Sequence, residues 1–198
     1  GFSSCFHPPT GRTVVVYQDS DDNDKICLNL IDTGDGSSTP TTSGKIVLNS
    51  SWTGHQGDIA YDPVTQSMLI VWRGLDNAVY LVAVTIPSSG NSVTIGTRQT
   101  VTSSTSTHPS IACAPTALTG GSFGTAVIAY RGLSSGSYGY ASLYNTSGSR
   151  TLTHRTTTNF NNSSTPFLLP HSANVNIVSS DNITPIDTIF FIPSISPL

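Results

Sequence analysis

Apolar residues fall along the chain in short runs, each closed by an aromatic residue and followed by a polar stretch. Thr13–Gln18 reads TVVVYQ, Met68–Arg73 reads MLIVWR and Ala126–Arg131 reads AVIAYR; Thr188–Ile192, TIFFI, is a weaker form. A β-branched run of this length predicts a buried strand. What precedes each run strengthens the pattern. Ser3-Ser4-Cys5-Phe6-His7-Pro8, Asp58-Ile59-Ala60-Tyr61-Asp62-Pro63 and Ser110-Ile111-Ala112-Cys113-Ala114-Pro115 align as a strand ending in X-Pro. The aromatic ends Tyr17, Trp72, Tyr130 and Phe191 recur at intervals of 55, 58 and 61 residues. Self-similarity at a near-constant period signals a solenoid, propeller or array.

The turn signals between the runs divide the chain into repeats at 1–55, 56–108 and 109–171, with a partial repeat at 172–198. The first is expected to hold strands near 2–6, 13–18, 25–32 and 44–49, and the second near 57–62, 67–73, 78–86 and 92–102. The third is expected to hold strands near 109–114, 123–131, 138–144 and 150–159, and the partial repeat near 173–179 and 186–192. Four antiparallel strands per repeat match a propeller blade. The fold class expected is therefore all-β: antiparallel four-stranded repeats, propeller-like, with three full blades plus a two-stranded partial blade in one domain. His55, His108 and His171 precede the first strands and are expected to share a structural hydrogen-bonding role.

Ser-Ile-Ala-Tyr-Asp-Pro-like segments followed by an apolar run and Tyr-Arg resemble tandem β-propeller repeats of secreted, cell-surface and virion-fibre proteins. Asp58–Arg73 and Ser110–Arg131 carry the resemblance, and Ser3–Gln18 carries it more loosely. It is architectural and transfers no active residues. The layout is similar to sialidase-like modules, but the Ser-x-Asp-x-Gly-x-Thr-Trp box is missing.

Composition narrows the function. Only 10% of residues are charged, against roughly 25% in an ordinary soluble domain. All eleven acidic residues are Asp; with no Glu and few Lys, substantial helix is not expected. The net charge of −3 gives no basic patch for nucleic acid, and no apolar run approaches a membrane span. A Ser, Thr and Asn surface points to an extracellular, secreted or virion-surface location. The chain begins at a repeat boundary without Met, the pattern of a processed chain or of part of a longer one. Cys5, Cys27 and Cys113 are too few for a disulfide framework. Buried thiols are expected, with one bridge plus one free thiol as the alternative.

Four groups of residues carry candidate chemistry. Trp72-Arg73 and Tyr130-Arg131 are repeat-equivalent, and an aromatic ring beside an Arg grips an acidic sugar or carboxylate; Gln18 at the same point favours a bracing role. Asp19, Asp21, Asn23 and Asp24 offer oxygens to Ca²⁺, but the stretch lacks the Gly and distal Glu of an EF-hand loop, so no cofactor is expected. Asn49, Asn145, Asn161, Asn162 and Asn182 begin Asn-x-Ser/Thr acceptors, with Asn145, Asn161 and Asn162 in expected loops. Asp58, Asp62, Asp181 and Asp187 show no pairing motif for glycoside hydrolysis.

The function expected is a non-enzymatic structural subunit of an extracellular fibre, filament or virion appendage, a homo-oligomer assembling by completion of open β edges at its terminal strands. The alternatives are a carbohydrate-binding, lectin-like or receptor-binding propeller using the aromatic–Arg pairs on glycans, and a glycan-cleaving propeller enzyme.

Overall fold

The computed structural model describes residues 1–32, 39–117, 121–133 and 137–161. The partial repeat at 172–198, and with it Asp181, Asn182 and Asp187, lies outside the described residues, as do Asn162 and His171.

The described chain is all-β, and its strands form three antiparallel sheets in chain order. The first sheet holds β1 (Phe2–His7), β2 (Arg12–Asp19) and β3 (Lys25–Asp32). Its outer edge is one interrupted strand, because β4 (Thr41–Thr42) and β5 (Ile46–Val47) both pair with β3. The second sheet repeats this plan with β6 (Gly54–Asp62), β7 (Ser67–Gly74), β8 (Val79–Thr85) and the interrupted edge of β9 (Thr94–Ile95) and β10 (Gln99–Thr102). The third is β11 (Ser106–Cys113), β12 (Gly124–Gly132), β13 (Gly139–Thr146) and β14 (Leu152–Asn161). Among the described residues no sheet closes on itself.

The sequence alignment of the repeats is also their structural register. Ser3 stands opposite Val16, Asp58 opposite Val71 and Ser110 opposite Ala129. The histidines depart from it. His55 pairs with Arg73, whereas the residue that pairs with Arg131 is Thr107, so His55 and His108 are not equivalent. A β-bulge follows His55 in β6 and follows Thr107 in β11. His108 sits inside the second bulge, matching Gln56, and both residues take left-handed backbone with φ of 53° and 52°.

The apolar run of β7 is continuous because its sheet is packed on both faces. In β7, Met68, Ile70 and Trp72 enter a core shared with Val14, Val16, Ile26, Leu28 and Leu30 of the first sheet. Leu69 and Val71 point the other way, into a second core with Ile111, Ile128 and Tyr130 of the third sheet. The three sheets therefore stack side by side with one core in each gap. Their first strands lie against one another, β6 between β1 and β11.

Candidate functional site

The point where the first strands meet is the most highly bonded polar site described. Ser3, Asp58 and Ser110 hold equivalent places on β1, β6 and β11. The Ser3 hydroxyl donates to Asp58 Oδ1 at 2.7 Å, and the Ser110 hydroxyl donates to Oδ2 at 2.8 Å. The amides of Ile59 and Ile111 donate to the same two oxygens at 2.9 and 3.0 Å. A carboxylate has about four lone-pair sites, and all four are used. Asp58 thus ties three sheets together.

Two further contacts join neighbouring sheets. His7 is buried; its Nε2 lies 3.2 Å from the Gln66 carbonyl and its Nδ1 lies 2.8 Å from the Thr10 hydroxyl. A carbonyl only accepts, so Nε2 carries the proton and Nδ1 accepts from Thr10. Burial lowers the His7 pKa, against the raising effect of the Gln66 carbonyl. The ring also meets Tyr61 edge-on at 5.3 Å. Asp62, fully buried, accepts from the Val64 amide at 3.0 Å and the Thr65 hydroxyl at 2.6 Å, closing the turn after Pro63. Its carboxylate lies hard against Gly124 of the third sheet, where a Cβ would strike it.

The aromatic–Arg pairs lie inside the protein. Trp72 is 0% exposed and Tyr130 is 4% exposed, so neither ring presents a face to a sugar. The interior position follows from the repeat: Trp72 stacks with Trp52 at 5.5 Å and Tyr130 with Tyr140 at 5.6 Å. Arg73 donates through Nη2 to Asn77 in the adjoining turn. The Nε atoms of Arg73 and Arg131 are buried without a partner among the described residues. The accessible counterpart is a group that the repeat pattern does not mark: exposed Arg98 lies 4.2 Å from the Tyr80 ring centroid and 5.5 Å from that of Trp52. Trp52 lies outside the aligned runs, in the link between the first two repeats, so periodicity carries no signal for it.

The acidic turn is organised around lysines. Asp19 caps a single 3₁₀ turn at Ser20–Asp22 by accepting from the Asp21 amide. Lys45 reaches Asp19 at 2.9 Å and Asp22 at 3.0 Å, and Lys25 reaches Asp22 at 2.6 Å. Hydrogen bonding from these lysines lowers the pKa values of Asp19 and Asp22, the first chiefly through Lys45 and the second chiefly through Lys25. Gln18 donates to Asp24, and Asn23 and Asp24 both take left-handed backbone. Among the described residues no group of three or more His, Cys or Asp side chains is arranged to hold a metal ion.

Of the sequons, Asn49 is exposed, with its side-chain oxygen accepting from the Ser51 amide and hydroxyl. Asn145 lies within β13 rather than in the expected loop, because that strand continues to Thr146. Asn161 closes β14, again on a strand. Cys5, Cys27 and Cys113 are free thiols. Burial raises the pKa of all three, most strongly that of Cys113, which keeps them protonated and weakly nucleophilic at neutral pH.

No family model and no curated protein matches the chain. No helix among the described residues is long and apolar enough to cross a membrane.

Proposed function

We propose that the chain is a non-enzymatic structural subunit of an extracellular fibre, filament or virion appendage. In this reading the three sheets are propeller-like blades followed by a partial fourth, and copies join by completing one another's open β edges. The observation that carries it is β14. This ten-residue strand pairs with β13 on one side and with no described strand on the other. Its residues 153–159 are exposed and read Thr-His-Arg-Thr-Thr-Thr-Asn, with strong β propensity and no Pro, Lys or bulky cover. Edge strands of this length are ordinarily blunted, because their free N–H and C=O groups template pairing with another chain. Heterologous pairing of such an edge produces rings or open filaments.

The test is negative-stain electron microscopy with light scattering on the full chain and on a Thr156→Lys, Thr158→Lys double variant. The wild type is expected to form fibres or rings, and the variant, with two charges on the edge, to stay at the 20.8 kDa monomer mass. A wild type that remains monomeric at high concentration overturns the proposal. Fibres that persist in the double variant remove β14 as the joining edge.

A further inference from the structure

At the rim of the core between the first and second sheets, a stack of rings reaches the surface and ends in a cation. Trp72, 0% exposed, packs on Trp52 at 5.5 Å and on Tyr80 at 5.6 Å. Trp52 and Tyr80 are only partly buried, so they carry the stack outward from the core. Arg98, in the link between β9 and β10, lies across both, 4.2 Å from the Tyr80 ring centroid and 5.5 Å from that of Trp52. A guanidinium stacked in this way gives up a face and keeps its in-plane N–H groups for other partners. Other cations of the described chain have spent theirs. Arg12, Lys25 and Lys45 are in ion pairs, and Arg73 and Arg150 donate to Asn77 and Thr85. Arg98 is exposed and makes no hydrogen bond or ion pair with a described residue. Two rings hold it in place, so much of the entropy of ordering this long side chain is lost before a ligand arrives.

An acceptor stands at the other end of Tyr80. The Tyr80 hydroxyl donates to Asp76 Oδ2, and the Ala78 amide donates to Asp76 Oδ1 at 3.2 Å. A carboxylate has about four lone-pair sites, so an exposed Asp76 keeps room for further donors. Asp76 and Arg98 form no ion pair with each other, which leaves both charges addressable from solvent. The fork of Arg98 suits a carboxylate, which it holds by two parallel hydrogen bonds. Asp76 suits hydroxyl donors on the same ligand, and it repels a ligand with many negative charges, as does the net charge of −3. One carboxylate beside several hydroxyls is the chemistry of an acidic sugar rather than of an acidic peptide.

We propose that Arg98 and Asp76, placed on either side of Tyr80 and backed by Trp52, bind a sugar that carries a carboxylate. The site goes beyond the structural role proposed above and does not depend on fibre formation.

The experiment is a saturation-transfer NMR titration of the full chain at a dilution where light scattering gives a monomer, so its outcome is separate from that of the microscopy. The probes are methyl glucuronide, methyl N-acetylneuraminide, neutral methyl glucoside and a blocked tetra-aspartate peptide. At least one of the two acids is expected to bind in the millimolar range, with the glucoside and the peptide about tenfold weaker or more. Binding of either acid on these terms supports the proposal, and the tighter of the two identifies the sugar. Arg98→Gln is expected to weaken the acid by about tenfold, because a hydrogen-bonded charge pair is lost. Asp76→Asn is expected to weaken it by about threefold, because acceptor capacity for the sugar hydroxyls is lost. Both substitutions are at exposed positions, and circular dichroism checks that each variant is folded. Failure of both acids to bind at tens of millimolar overturns the proposal, as does equal affinity for the glucoside or unchanged affinity in Arg98→Gln. Tighter binding of the acid by Asp76→Asn overturns it by showing attraction through charge alone. A peptide that binds as tightly as the sugars overturns it in favour of an acidic protein partner.

Discussion

At the residue scale, Asp58 carries more of the structure than any other polar side chain described. An Asn there keeps one acceptor but turns an N–H₂ toward either the Ser3 hydroxyl and Ile59 amide or the Ser110 hydroxyl and Ile111 amide, which already donate. Leaving such donors unmet costs about 1–3 kcal/mol. Asp58→Asn is therefore expected to lower stability by that amount in urea denaturation, and an unchanged midpoint would show that the carboxylate is not the tie. His7 acts at the next level of the same junction. Its folded pKa is lowered, so as pH falls through the unfolded value of 6.5 the unfolded chain takes up a proton that the folded chain refuses. Stability from this site is full above that pH and declines below it. His7→Asn is expected to lower the thermal midpoint at pH 7 and to flatten its fall between pH 6.5 and pH 5. Asp19 and Asp22 act only in a more acidic window, because their lowered values are compared with an ordinary 3.8.

At the scale of the elements, the second and third sheets use one device twice. Gly74 and Gly132 follow the repeated aromatic–Arg pair, and a Cβ on either would come within 2.6 Å of the cross-strand ring, Tyr80 or Tyr140. Those rings cannot retreat, since Tyr80 packs on Trp72 at 5.6 Å and Tyr140 on Tyr130 at 5.6 Å. Overpacking of this kind costs about 1–3 kcal/mol. Gly132→Ala is expected to lose that much in urea denaturation, and Gly132→Ala with Tyr140→Ala to regain part of the overpacking cost relative to Tyr140→Ala alone. The repeated Arg-Gly pair is legible in the sequence; its reason, a ring lying across the backbone, is not. The strands themselves are legible because every run packed on both faces is continuously apolar, and the ends of β1, β2, β3, β7 and β12 fall within a residue of the pattern. The bulges in β6 and β11 are not legible, since Gln56 and His108 adopt a left-handed backbone that neither residue type announces. That is why His55 and His108 align by eye and not in register. The junction stood in the aligned columns as Ser3, Asp58 and Ser110, yet one Asp between two Ser carries no meaning until the strands converge.

At the scale of the whole molecule, thiols and phenols set in and around the two cores make the fold sensitive to alkaline pH. Burial is the first cause of the raised pKa of Cys5, Cys27, Cys113, Tyr17, Tyr61, Tyr130 and Tyr144, while Tyr80 is raised first by its hydrogen bond to Asp76. For each of these acids the folded chain holds its proton to a higher pH than the unfolded chain. The unfolded thiols ionise near their ordinary 9.0 and the unfolded tyrosines near 10.0. Stability is thus full below pH 9 and falls above it, because the unfolded state binds fewer protons there. The two cores share the burden unequally, since Tyr130, Tyr144 and Cys113 all belong to the gap between the second and third sheets. The thermal midpoint is expected to hold level from pH 7 to about pH 8.5 and to drop steeply by pH 10.5. Tyr130→Phe is expected to shallow that drop, and hydrogen exchange in the alkaline range is expected to rise first in β12 and β13. A midpoint that stays level to pH 10.5, or alkaline exchange that begins in β2 and β3, would place the sensitive core in the other gap.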